Sequence, residues 1–352
     1  MAKKVLVGMS GGVDSSMAVS LLQEQGYAVS GVTLRLCADP HTVTEKTLQA
    51  ERDAADTAAR LNISHVVWDY SEHFRSTVVN DFAAVYAAGK TPNPCIVCNR
   101  CVKFGKMLDD AREAGYDAIA TGHYVRSEWD EQRGRWLLKK AADPARDQTY
   151  VLYMLTQHQL AHTLFPLGEY YKPDLRRMAE DRGFVNAQRP DSQDICFVPD
   201  GDYLGFLQNE MRLCCKSGHF VDEQGAVLGM HKGVEAYTIG QRKGLGIAFG
   251  EPRFVIAKNA ADNTVTLGKR EALFSKELYA ENANWIAIPA LTESIRATVR
   301  TRYHQKEAAA TVEPYGDNGF RVVFDEPQRA LTPGQAVVLY QDELVVGGGT
   351  II

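Results

Sequence analysis

A chain of 352 residues exceeds what one hydrophobic core fills, so two or three domains are expected, and a net charge of −5 argues against a globally basic nucleic-acid binder while leaving room for local basic patches. Hydrophobic residues make up 45% and charged residues 24%, an ordinary globular balance, and no apolar segment approaches bilayer-spanning length, so no membrane association is expected. Seven cysteines, odd in number and unevenly placed, read as thiol chemistry in a reducing, cytoplasmic compartment rather than as a disulfide framework.

The apolar run at residues 5–9 is too short for a signal peptide and reads as the first strand. Ser10-Gly11-Gly12-Val13-Asp14-Ser15-Ser16 joins it to a helix-like stretch over 16–25. Adjacent glycines let the backbone approach an anion, the serines add hydroxyl donors, and the helix start offers free N–H groups and its positive dipole end. The product is a nest for a nucleotide phosphate. The competing reading is a flexible turn with Asp14 as a helix cap. Its place at the first strand-to-helix junction, where α/β sheets bind ligands, favours the phosphate. No lysine follows the glycines, so this is not the G-x-x-x-x-G-K-[ST] loop. It resembles instead the SGGxDS loop (PP-loop) of enzymes that split ATP to AMP and pyrophosphate. Asp14 is expected to organise Mg²⁺ and phosphates, with no part in a core.

Strand-like runs at 28–34, 65–68 and 118–121 alternate with helix-like segments at 46–61, 72–88 and 98–114. The alternation predicts a Rossmann-like parallel sheet, covered by helices on both faces, over residues 1–200. Within it, Pro92-Asn93-Pro94-Cys95 reads as a rigid approach to a helix, with Cys98 one turn beyond Cys95 on the same face. Thiols there, near Arg100, Lys103 and Lys106, are expected to have depressed pKa values. Cys101 is rotated partly off that face and reads as a small buried residue. The C-x-x-C-x-x-C run also offers metal ligands. Zinc would want a second pair and a [4Fe–4S] cluster a further thiolate, for which Cys196 is the candidate; the alternative is a redox or sulfur-carrying pair.

From Pro199-Asp200-Gly201-Asp202 the chain turns Gly-rich, predicting a small central α+β module over 201–272. Period-two runs at 320–324 and 336–340, with Asp317-Asn318-Gly319 as a hairpin turn, predict a C-terminal antiparallel β-barrel over 273–352. The segment 296–306 alternates in strand fashion and puts Arg296, Arg300, Arg302 and Lys306 on one face, either a solvated edge or a basic patch. Arg242 and Lys243 form a second basic spot, and Tyr303 is suited to stacking on a base.

Taken together, residues 8–16, 91–95 with Cys98-Asn99, 121–124, 146–150, 191–197, 237–246 and 301–303 resemble the tRNA-specific 2-thiouridylases, which replace the C2 oxygen of the wobble uridine with sulfur. The resemblance implies an adenine nucleotide α hydrolase-like fold and an ATP site lined by Gly8, Met9, Ser10, Gly11, Gly12, Val13, Asp14, Ser15, Leu34 and Gly122. Asn93, Pro94 and Cys95 would border the target base. Contacts to tRNA are implied at His123, Arg146, Asp147, Gln148, Arg302, Tyr303 and Gln335. Cys196 would carry a persulfide, and Cys98 would be the nucleophile or resolving cysteine. Some members have aspartate at the position of Cys95, and many have glutamate at that of Cys101, which is assigned no role.

The chemistry agrees with the residues. ATP would activate the poorly electrophilic C2 carbonyl by adenylation before sulfur attacks, on a base taken out of its stack. If the sulfur attacks while attached to Cys196, Cys98 frees it by forming a Cys98–Cys196 disulfide. The resemblance further implies ATP with Mg²⁺, tRNA isoacceptors for Lys, Glu and Gln, and a cysteine desulfurase or relay protein as sulfur donor. Two alternatives stay open: the same thiolation by a [4Fe–4S] cluster on Cys95, Cys98 and Cys196, and a synthetase with this loop acting on a small metabolite.

Overall fold

The computed structural model describes residues 2–37, 45–184, 186–188, 195–198 and 201–352. Residues 191–194, which precede Cys196 in the expected cysteine segment, and 199–200 lie outside the described residues.

In chain order the first strands are β1 (Lys4–Gly8), β2 (Ala28–Arg35), β3 (His65–Asp69), β4 (Ala118–Ala120), β5 (Val125–Asp130), β6 (Arg135–Lys140) and β7 (Thr163–Leu164). Five of them pair in parallel in the order β3-β2-β1-β4-β7. Central β1 buries Val5, Leu6 and Val7 completely, as a sheet covered on both faces requires. Alternation then divides these residues between two layers. Val5 and Val7 pack with α1 (Val13–Glu24), α2 (Glu45–Arg60) and α3 (Lys172–Asp181) through Met17, Leu22, Ala54 and Leu175. Leu6 packs on the opposite face with Phe74, Phe82, Val102 and Phe104.

That second layer is two helical runs. One passes through Ser71–Phe74, Arg75–Val79 and Asn80–Ala87; the other, the cysteine helix, through Pro94–Val97, Cys98–Lys106 and Met107–Glu113. Their middle segments, Arg75–Val79 and Cys98–Lys106, are wound as wider π-helix, a feature that hydrophobic periodicity does not reveal. Strand order reverses at β1, since β2 lies on one side and β4 on the other. The carboxyl ends of β1 and β4 therefore flank the crevice where an open α/β sheet takes its ligand.

The Gly-rich stretch holds β8 (Gly218–Val221), β9 (Val227–His231), β10 (Phe254–Asn259) and β11 (Thr264–Gly268), in the order β10-β11-β8-β9, over a core of Phe220, Tyr237, Val255, Val265 and Leu267. Next come β12 (Phe274–Trp285), β13 (Ile295–Arg300), β14 (Ala308–Tyr315), β15 (Gly319–Arg329), β16 (Ala336–Gln341) and β17 (Leu344–Ile351). They run β12-β15-β14-β13-β16-β17, and a β12–β17 pairing closes them into the antiparallel barrel. The turn around Asp317-Asn318 connects β14 to β15, and Gly316 supplies a φ of 61°.

Two features depart from the sequence reading. The hairpin β5–β6 leaves the parallel sheet and joins the barrel, with Lys139 opposite Leu344. Consistent with that docking, β16 is buried on both sides: Val337 and Leu339 face the barrel core, whereas Val338 and Tyr340 pack against the helical layer. The expected basic strand face also stops short, because β13 ends at Arg300 and neither Arg302 nor Lys306 continues it. Arg296 pairs with Asp325, and Arg300 with Asp147 and Glu307.

Candidate active site

Between β1 and α1 the backbone turns through Gly11 at φ 72°, a left-handed conformation that glycine adopts without strain. A β-carbon there would lie 2.6 Å from the Ala50 carbonyl oxygen, so α2 also excludes a side chain. Helix α1 begins at Val13 with Gly12 as its cap, so Asp14, Ser15 and Ser16 occupy its first turn. The Ser15 and Ser16 hydroxyls donate back to the Gly12 carbonyl at 3.0 and 3.1 Å, which leaves exposed Ser10 as the loop hydroxyl facing outward. Buried Asn186 braces the turn from below, donating to the Gly11 carbonyl at 3.0 Å and to Ser16 Oγ at 2.9 Å. Met9 and Leu34 flank this end of the sheet, and Thr33 Oγ1 donates to the Met9 carbonyl at 3.0 Å.

Asp14 is already engaged. Its carboxylate accepts from Lys172 Nζ at 2.7 and 2.6 Å and from the Tyr124 hydroxyl at 2.6 Å. Lys172 stands at the first turn of α3, with its side chain only 4% exposed, and its ammonium lies 5.7 Å from the centre of the Tyr124 ring. Asp14 keeps 30% of its side chain exposed and, beyond what was expected of it, balances a buried cation. Sequence reasoning missed Lys172, Tyr124 and Asn186. One signal was available for the lysine, since a cation in a helix's first turn opposes the macrodipole and calls for a reason.

The loop after β4 carries the crevice toward the sulfur atoms. A β-carbon on Gly122 would sit 2.9 Å from the Asp14 backbone, so only glycine lets this loop lie against the start of α1. His123 follows, its Nδ1 hydrogen-bonded to Thr121 Oγ1 at 2.8 Å and its ring 5.5 Å from that of Phe104 on the cysteine helix. Crowding by protein, reinforced by the Lys103 ammonium, holds the His123 pKa well below its ordinary value.

Asn93 caps the cysteine helix and Pro94 occupies its first turn, as the sequence suggested. The thiols behave oppositely to expectation. Burial raises the Cys98 pKa, with Cys95 and Cys101 adding to the rise, and burial likewise raises that of Cys101. Cys196 reaches the surface, yet the protein around it pushes its thiol up to about 12, and Cys98, Cys95 and Cys37 push in the same direction. Lys103 opposes the shift at both Cys98 and Cys196. Four thiols and one ammonium thus share an electrostatic neighbourhood, and Phe197, next in sequence to Cys196, packs its ring edge-on against Phe74 and Phe82. The helix start and nearby cations suggested thiolates; desolvation outweighs both. Cys37 was not recognised as a member of this group, whereas Lys103 was named among the nearby cations. Among the described residues no cysteine is in a disulfide.

Of the residues expected at a tRNA surface, Tyr303 borders the thiols: burial and Asp147 raise its hydroxyl pKa, Arg146 and Arg300 oppose, and Cys95 adds to the rise. Others spend their side chains inside the protein. Buried Asp147 accepts from Thr149 Oγ1 at 2.8 Å and Arg300 at 3.0 Å, and Gln148 Oε1 accepts from the Tyr124 N–H at 2.9 Å. Arg302 Nη2 donates to the carbonyls of Ile239 and Ala330 and to Thr332 Oγ1, joining the central module to the barrel. Gln335 Nε2 donates to the carbonyls of Thr91 and Pro92.

Among the described residues no three His, Cys, Asp or Glu side chains converge to hold a metal ion, so Cys95, Cys98 and Cys196 form no ready seat for a cluster. The phosphate loop fits a nucleotide better than a bare cation, since its carboxylate already neutralises a lysine and a helix start, which favours anions, follows the loop directly.

Three domain families match along the chain: a tRNA methyl transferase HUP domain over residues 3–200, a tRNA methyl transferase PRC-barrel domain over 205–269 and an aminomethyltransferase β-barrel domain over 275–351. Full-length relatives include the tRNA-specific 2-thiouridylases MnmA of Clostridioides difficile (strain 630), 48% identical over 100% of this chain and 98% of that one, and of Acetivibrio thermocellus, 48% identical over 99% of each. The corresponding protein of Moorella thermoacetica is 49% identical over 98% of each chain. Identity of this degree, running end to end through the phosphate loop, the cysteine helix and the barrel, makes the chain a member of the tRNA-specific 2-thiouridylase family.

Proposed function

We propose that this protein is a tRNA-uridine 2-sulfurtransferase of the cytoplasm. It uses ATP, delivered as its Mg²⁺ complex with the metal held mainly by nucleotide and water, to adenylate the C2 oxygen of the wobble uridine. The tRNAs for Lys, Glu and Gln are its substrates. The working parts are a nucleotide domain over 1–200, a central tRNA-contacting module over 201–272 and a barrel over 273–352. The terminal sulfur of a Cys196 persulfide, loaded by a cysteine desulfurase or relay protein, attacks C2 and expels AMP, losing its proton. Cys98 thiolate then attacks Cys196 Sγ; the Cys98–Cys196 bond forms and the electron pair of the broken S–S bond stays on the base sulfur. A dithiol reductant restores the two thiols.

One observation carries the reading: buried Cys98 and surface-reaching Cys196 lie close enough that Cys98 raises the pKa of Cys196, and Gly122 and His123 connect the cysteine helix to the phosphate loop. The methyl-transfer wording of the domain families fits this site less well, since methylation needs neither ATP cleavage nor paired cysteines. In the deciding experiment, Cys196→Ser accepts no labelled sulfur from the donor, whereas Cys98→Ser accepts it but releases no thiolated tRNA. Activity that appears only after anaerobic reconstitution with iron and sulfide, and is lost in Cys95→Ser, would restore the cluster reading. Pyrophosphate release untouched by thiol blockade and independent of tRNA would point to a small-metabolite synthetase.

A further inference from the structure

The segment 91–94 leads directly into the cysteine helix, and the backbone of its first two residues is held from the barrel. Pro92 and Pro94 have no N–H to donate, the Asn93 carbonyl accepts from the Ile96 N–H inside the cysteine helix, and three backbone groups of Thr91 and Pro92 turn to the barrel. The Thr91 N–H donates to the Pro333 carbonyl at 2.9 Å, and Gln335 Nε2 donates to the carbonyls of Thr91 at 2.9 Å and Pro92 at 3.0 Å. Contact is close enough that a β-carbon at Gly334 would lie 2.9 Å from both Lys90 Cβ and Thr91 N. Gln335 is itself fixed, its N–H on the Thr332 carbonyl at 3.1 Å and its carbonyl accepting from the Ile351 N–H at 2.9 Å. Thr332 in turn accepts from Arg302, which also reaches the central module.

We propose that Gln335 is a positioning residue: from the rim of the barrel it fixes the 91–94 approach and so sets where Cys95 and Cys98 stand against Cys196. The inference deepens the thiol-pair reading above and rests on it. It also gives Gln335 a duty in the free protein, where the family resemblance implies only a contact to tRNA.

The two duties separate when no tRNA is present. In the full chain, diamide oxidation followed by peptide mapping reads the rate of Cys98–Cys196 disulfide formation, and titration with tRNA reads affinity independently. Gln335→Met and Gly334→Ala should each slow disulfide closure on the order of ten-fold. They should lower kcat comparably while leaving the KM for ATP unchanged. Gly334→Ala keeps the glutamine side chain, so the second variant tests the junction even where the first is poorly folded. Closure at the wild-type rate in both variants would overturn the proposal, and weaker tRNA binding in Gln335→Met alone would leave Gln335 as a tRNA contact. Failure of the wild-type protein to form any Cys98–Cys196 disulfide would overturn the thiol-pair reading itself, a result distinct from a wild-type rate in the variants.

Discussion

At the phosphate loop, charge is concentrated and balanced: Asp14, Lys172 and Tyr124 form a short-bonded group around one half-buried carboxylate. At the cysteine helix, charge is scarce. Burial raises the pKa of the Cys98 and Cys196 thiols, and Lys106, a further cation of the cysteine helix, is paired with Asp110 at 3.0 Å. Lys103 alone, without a hydrogen-bond or ion-pair partner among the described residues, acts on both thiols. The contrast separates two strategies within one crevice. An arriving polyphosphate brings its own charge, so its site needs a cation held ready by an exchangeable carboxylate. Sulfur chemistry needs thiols that stay inert until called upon, and a low-dielectric wall supplies that restraint.

The comparison breaks most severely at Lys172. Replacing it with methionine removes the cation from the phosphate end and should slow tRNA-dependent pyrophosphate release by about 10² to 10³. Affinity for tRNA should not change. Asp14→Asn should also abolish adenylation, but with a second cost, because it strips the carboxylate from a lysine that is 4% exposed. Unfolding in urea should report a loss of about 3 kcal/mol, near the lower bound for breaking a buried pair because Asp14 keeps some solvent contact. A fully stable Asp14→Asn would mean that Lys172 finds equal compensation elsewhere.

Lys103 sharpens the other half. A thiol whose pKa is raised ionises later, so alkylation of Cys98 should still be climbing above pH 9, the ordinary thiol value. Lys103→Met should move that profile further to the alkaline side, and Lys103→Arg should leave it near its original place. Rates of iodoacetamide labelling, read by peptide mapping against pH, measure the shift without any need for turnover. A profile that moved toward acid in Lys103→Met would show that the ammonium is not the group opposing burial.

Much of this contrast was legible in the chain, and the remainder was hidden for identifiable reasons. The Ser10–Ser16 loop, the alternation of the first half and the period-two runs of the barrel are local signals, and each stands where the periodicity put it. Cys98 and Cys196 were paired by residue type and resemblance. The place of Lys172 in a helix's first turn hinted that it had a partner, but that partner lies 158 residues away, and no local pattern identifies an ion pair of that span. The thiol pKa values were misjudged for a related reason: helix ends and neighbouring cations can be read from sequence, whereas burial by the surrounding fold cannot. β16 is the exception among the period-two runs: residues 336–340 were read as alternating, yet all five are apolar or aromatic and buried, as in a strand covered on both faces.

The smallest effects lie on the basic segment, where the sequence suggested a face for tRNA. Arg302→Ala leaves three acceptors at the junction of central module and barrel without their donor, and should lower stability by about 2 kcal/mol. Its effect on tRNA binding should then be general loosening, with the log–log salt slope unchanged, whereas loss of a phosphate contact would lower that slope by about one unit. Arg296 provides the control. It bonds Asp325 at 2.6 Å, but both side chains are more than half exposed, and exposed pairs of this kind contribute little to folding. Arg296→Ala should therefore leave the melting temperature where it is. If it nonetheless lowered the salt slope by a unit while Arg302→Ala did not, the phosphate contact would belong to the outward face of β13, and the basic patch would be real but centred on a different arginine from the one the family resemblance names.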